Sequence, residues 1–151
     1  MTIDELADYL VAQGLATPAT VIGCTPDEVA QARVALGVDE LPEQYEQFLL
    51  RMGRACGDLL LGTDLCYPWM VRLADEMPDM LEETGIGAVV EPSATFVAQH
   101  CGYQLYWLSR DGTAHFADEG RDNPVRSWPS LVDCLKWEAD RQLAMRRSRA
   151  T

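Results

Sequence analysis

Two hydrophobic periods divide the chain. Up to about residue 92, apolar positions recur every three to four residues; beyond it they gather in short runs separated by turn residues. Ile3, Leu6 and Leu10 share one helical face, Thr2 with Glu5 has the form of a capping box, and Gly14 closes the segment, which predicts a helix over 3–13. The stretch "CTPDEVAQARVALG" predicts a second helix. Thr25 is its cap, Pro26 suits the first helical position, and Glu28 can reach back; Val29, Ala32 and Leu36 point inward, and Gly37 is the stop. A third helix is predicted in "LPEQYEQFLLRMG", started by Pro42 and ended by Gly53, with Leu41, Tyr45, Phe48, Leu49 and Met52 inward. The glycine-bounded run "GDLLLG" predicts a strand over 57–62. Residues 68–84 carry Trp69, Met70, Leu73, Met77 and Leu81 on one face, a stripe that reads as core packing, with Pro78 expected to break or kink the helix.

After residue 92, "TFVAQ", "QLYWLS", "HFADE" and "DNPVRSW" predict strands over 95–100, 104–109, 113–118 and 124–128. Ser130 and Asp133 open a last helix, along which Leu131, Leu135, Ala139 and Leu143 recur every fourth residue. Its end, "RQLAMRRSRA", places four arginines where cations complement the helix dipole, and residues 141–151 are expected to fray. Helices, then strands, then a helix, predict an α+β fold: one mostly antiparallel sheet with helices packed against it, in a single domain over 1–151 with its core in about 20–140.

Charge changes the picture more than composition does. The 151 residues are 48% apolar, as a globular chain requires, and no apolar run approaches the ~20 residues that span a bilayer. The acidic start "MTIDELADYL" is unlike a signal peptide, so a cytoplasmic protein is expected. The net charge of −12 is uneven: residues 1–100 hold 17 Asp/Glu against 4 Arg, whereas residues 101–151 hold 7 against 8 Lys/Arg. Such a field disfavours nucleic acid and anionic membrane as partners and favours a basic protein. Cys24, Cys56, Cys66, Cys101 and Cys134 are odd in number, widely spaced and without a CxxC, which predicts reduced, mostly buried thiols, no structural metal and no obligatory disulfide. No cofactor motif is present, so no cofactor is expected.

The densest chemistry lies in "FVAQHCGYQLYWLSRDG", residues 96–112. On a continuous strand His100 and Cys101 would point to opposite faces and could form no pair without a further bend. A hairpin with "HCGY" at its turn, Gly102 supplying the positive φ, is the better reading; Tyr103, Tyr106 and Trp107 are then sheet residues that pack on helices. The second histidine, His115, lies near Asp111, Asp118 and Glu119, which together define an acid–base alternative.

Three segments resemble the SMI1/KNR4 (SUKH) superfamily. "IGCTPDEVAQARVALGVDELPEQYEQFLLRMG" is similar to its N-terminal helix pair, "TFVAQHCGYQLYWLSRDG" to its central hairpin, and "RDNPVRSWPSLVDCL" to its closing strand and helix; in order, they cover roughly residues 20–137. The family has no common catalytic residues, so the resemblance implies a binding protein and not an enzyme. Many bacterial members are immunity proteins against polymorphic or contact-dependent toxins, many of them nucleases; others act as intracellular scaffolds or regulatory modules, which is the alternative. An acidic inhibitor would be steered to a basic nuclease face. The candidate contacts are Asp27, Asp39, Glu40, Glu43 and Glu46 on the helices, and Asp118, Glu119 and Asp122 in a loop. Nothing in the sequence sets the oligomeric state.

Overall fold

Each early helix begins where its capping chemistry is written. In the computed structural model, which describes residues 1–119 and 125–151, Thr2 Oγ1 accepts the Glu5 N–H and the Glu5 carboxylate accepts the Thr2 N–H, opening α1, Ile3–Ala12. The same reciprocal bonds between Thr25 and Glu28 open α2, Pro26–Ala35. The helix Glu43–Met52, α3, starts after Pro42 without a side-chain cap. The predicted inward residues of all three are buried.

The "GDLLLG" strand does not form. Residues 57–62 are a chain of turns, with Leu59 N–H bonded to Cys56 O, Leu61 to Asp58 and Thr63 to Leu60. Gly57, Leu60 and Gly62 all have positive φ, which an extended strand cannot accommodate. Gly57 also has no room for a side chain, since a Cβ there would lie 2.3 Å from Leu15 O. The pairing falls just before this segment instead. Val21–Ile22, β1, and Ala55–Cys56, β2, form a two-stranded antiparallel ladder, too short to leave a period in the sequence.

Residues 69–72 make a 3₁₀ turn that leads into α4, Leu73–Thr84. The helix continues through Pro78, which therefore forgoes one backbone bond without ending it. Met70, Leu73 and Met77 are buried as expected, but Trp69 is 57% exposed, with the Arg72 guanidinium 5.8 Å from its ring centre. The 3₁₀ turn shifts Trp69 off the helical face that its spacing implied.

The main sheet is an antiparallel meander: β3 Thr95–His100, β4 Gln104–Leu108, β5 Ala114–Asp118 and β6 Arg126–Trp128, in that spatial order. Cys101 and Gly102, with φ of +52° and +76°, turn β3 into β4; this hand of turn matches the twist of the strands. Tyr103 sits on that turn and is exposed, not packed on a helix, whereas Tyr106 and Trp107 are buried. Asp111 Oδ1 accepts the Thr113 N–H, and Gly112, φ +89°, completes the next hairpin.

Leu131–Ala150 is α5, opened by Ser130. It covers the sheet face that bears Tyr106, Phe116 and Arg126, and α1 and α3 lie against its other side. Gln44 Oε1 of α3 accepts the Val132 N–H, and Tyr9 donates to Asp140 at 2.6 Å. The helix continues to Ala150, past the point where fraying is expected at 141. Leu143 is buried, Gln142 donates to Asp58 O, and Arg146 pairs with Asp58 Oδ2 at 2.6 Å, so tertiary contacts hold that turn down. The opposite sheet face, with Gln99 and Trp107, meets α4 and the segment after it: Gln99 donates to Glu76, and Trp107 Nε1 to Glu91. The fold is thus α+β, with helices packed on a mainly four-stranded antiparallel sheet. No helix among the described residues is long and apolar enough to cross a membrane.

Candidate protein-binding groove

Gly37, φ +69°, ends α2 in the left-handed conformation and sends the chain back toward α3. The Arg33 guanidinium pins this return, donating to the carbonyls of Val38 and Asp39 at 3.4 and 3.2 Å. The return, the flank of α2 and the start of α3 form one wall of a groove of about 1200 Å³; residues 92–96 and Arg110 form the other. Its lining includes Val29, Leu36, Leu41, Pro42 and Phe96. Asp39, Glu40, Glu43 and Glu46 also line it, and all four are exposed. Glu43 and Glu46, three apart on α3, share the side opposite the buried Tyr45, Phe48 and Leu49. Four carboxylates and two arginines, Arg33 and Arg110, therefore line a groove with partly apolar walls. That arrangement suits a basic, amphipathic protein segment.

The structure thus brings four of the predicted acids together. Asp27 is exposed in the first turn of α2 beside Pro26, which lines the groove, but Asp27 itself does not. Asp118 and Glu119 lie elsewhere. Asp118 pairs with Gln104 across the strands and accepts from its Nε2, and Glu119 N–H donates to Tyr103 O. Thr95, on the groove, pairs with Leu108 at the other end of β4. Four residues of strand, roughly 13 Å, separate the two patches. Asp122 lies outside the described residues. Sequence reasoning misses Arg33, Phe96 and Arg110. Phe96 and Arg110 join the groove only through the sheet, and no local pattern announces them.

Two members of the acid–base alternative do not converge. His115 and Asp118 are three apart on β5, so they point to opposite faces. His115 instead meets two hydroxyls, Ser109 Oγ at 2.6 Å from Nε2 and Ser127 Oγ at 2.7 Å from Nδ1, and stacks on Trp107. Ser109 in turn donates to Glu91. Burial pulls the Glu91 carboxyl upward, but hydrogen bonds from Ser109 and Trp107 outweigh it and hold the group below its ordinary value. His100 and Cys101 do approach each other, Sγ to Nε2 at 3.4 Å, because the positive φ of Cys101 supplies the bend that a strand lacks. The His100 Nδ1 lies 3.0 Å from Gly62 O, which ties the hairpin to the 57–62 turns. Among the described residues, no group of three or more His, Cys, Asp or Glu is placed to hold a metal.

Two carboxylates have structural partners that the sequence does not reveal. Glu28, besides capping α2, pairs with the Arg54 guanidinium; that bond and the Thr25 backbone lower its pKa to about 2. Glu138, 1% exposed, accepts the Tyr106 hydroxyl at 2.6 Å and pairs with Arg141 at 2.7 Å. In comparisons with known proteins, no family model matches the chain, and no curated protein matches it.

Proposed function

We propose that this chain is a non-enzymatic protein-binding domain, an immunity protein of SMI1/KNR4 type that acts in the cytoplasm by neutralising a cognate basic toxin domain, with nucleases the class that its charge fits best. The observation that carries the reading is the groove. It gathers Asp39, Glu40, Glu43 and Glu46 around partly apolar walls, on a chain of net charge −12. Carboxylates so placed speed the arrival of a basic surface, and the apolar walls give it something to bury. A nuclease whose basic face is covered cannot reach phosphate, so occupancy alone suffices to inhibit.

The test is co-expression with the product of any toxin gene encoded beside this one. The expected result is a complex that survives purification and protects cells from that toxin. Protection lost on reversing groove carboxylates, in a variant that remains folded, locates the contact. Absence of protection, with no complex, would sink the immunity reading. A complex with a non-toxic intracellular partner would favour the scaffold alternative.

A further inference from the structure

The chain of turns that replaces the predicted strand is bounded by two cysteines whose sulfurs nearly touch. Cys56 Sγ and Cys66 Sγ are 3.5 Å apart, where a disulfide needs about 2 Å, so closure requires a shift of roughly 1.5 Å. Cys56 is buried on β2, while Cys66 is half-buried in irregular chain before the 3₁₀ turn. We propose that Cys56 and Cys66 are a reversible redox pair, closed by thiol–disulfide exchange with a small-molecule disulfide.

Both thiols are free in this structure. A hydrogen bond from Cys56 holds the Cys66 thiol below its ordinary value, and the same bond, with burial, pushes Cys56 up. Cys66, the more exposed of the two, is the sulfur that a small disulfide can reach, and it is the attacking one. Its thiolate displaces one thiolate from the small disulfide and forms a mixed disulfide. Cys56 then loses its proton and attacks Cys66 Sγ, expelling the second thiolate. The net change is two protein thiols and one small disulfide converted to one protein disulfide and two small thiols.

The ring so closed contains the anchors of both neighbouring elements. Asp58 holds Arg146 and Gln142 of α5, Gly62 O faces His100, and Asp64 bonds Gln99. Closing it stiffens the segment on which the end of α5 and the first strand of the main sheet rest.

The experiment uses the full chain with Cys101→Ser, which removes the exposed thiol, equilibrated in mixtures of reduced and oxidised glutathione. Intact mass should fall by two hydrogens, peptide mapping should join residue 56 to 66, and thermal stability should rise, then return on reduction. With Cys56→Ser added, a stable glutathione adduct should remain on Cys66; with Cys66→Ser added, neither bridge nor adduct should form. The unmutated cysteine pair supplies the decisive reading even where a serine variant fails to fold. A protein that keeps both thiols in oxidised glutathione, while Cys101 of the parent chain takes up glutathione, overturns the proposal, as does a bridge that involves Cys24.

Discussion

The rim of the groove and the junction between α5 and the sheet use the same carboxylate group for opposite ends. At the rim, Asp39, Glu40, Glu43 and Glu46 stand exposed on helices and turns. At the junction, Glu138 is enclosed and shared between Tyr106 and Arg141. The enclosed group costs desolvation and is worth keeping only with its partners; the exposed ones cost little and act at a distance. Position decides between these roles, and sequence shows no difference between one Glu and the other.

The largest expected effect is at the junction. Glu138→Ala leaves the buried Tyr106 hydroxyl without an acceptor and Arg141 without its pair, and should cost about 3 kcal/mol of unfolding free energy. Urea denaturation measures it; a loss under about 1 kcal/mol would mean that the junction is no more than another exposed pair.

At the rim the effect should appear in kinetics, not stability. Glu43→Lys with Glu46→Lys should slow association with a basic partner by on the order of tenfold at low salt, the difference shrinking as salt screens it. Stability should change by no more than about 0.5 kcal/mol per site. Stopped-flow association at several ionic strengths checks this, and an on-rate indifferent to both charge and salt would remove the steering role from the groove.

Glu28 lies between the two regimes, buried as a residue but paired with a half-exposed guanidinium. Its folded pKa, about 2, lies below the unfolded value of 4.5, so the stability it contributes is present above that unfolded value and fades as pH falls toward 2. Denaturation across that interval should show a shallower acid-side loss in Glu28→Gln than in the parent. Identical slopes would show that the pair does not govern the acid limb.

The smallest effect is expected at Asp118, which shares the acidity of the rim but not its groove. Asp118→Lys should leave partner association within about twofold, since it lies more than a Debye length from the groove at physiological salt. Slowing as great as that of the Glu43/Glu46 pair would merge the two patches into one field.

Much of the architecture is legible in local pattern. The boundaries of α1 and α2 follow from Thr2, Glu5, Thr25, Pro26 and Glu28, because capping bonds span only three residues and need nothing distant. The β3–β4 hairpin is readable from Gly102, although the positive φ of Cys101 is not. The strand expected at 57–62 fails because a glycine-bounded apolar run of this length is equally compatible with turns, and contacts with Leu15, α5 and β3 choose them. The order of α5 beyond residue 141 is hidden for a similar reason: its anchor, Asp58, lies 88 residues away from Arg146.

The candidate site divides in the same way. Sequence by itself determines that acids crowd the turn between α2 and α3, and that Glu43 and Glu46 face away from the core, because helical period and charge are local properties. Only the tertiary structure decides that this rim opens on Phe96 and Arg110, that Asp118 stands apart, and that Cys56 and Cys66 come within 3.5 Å. Those relations depend on where burial of apolar faces brings distant segments to rest, and hydrophobic burial is non-directional until the whole core is packed.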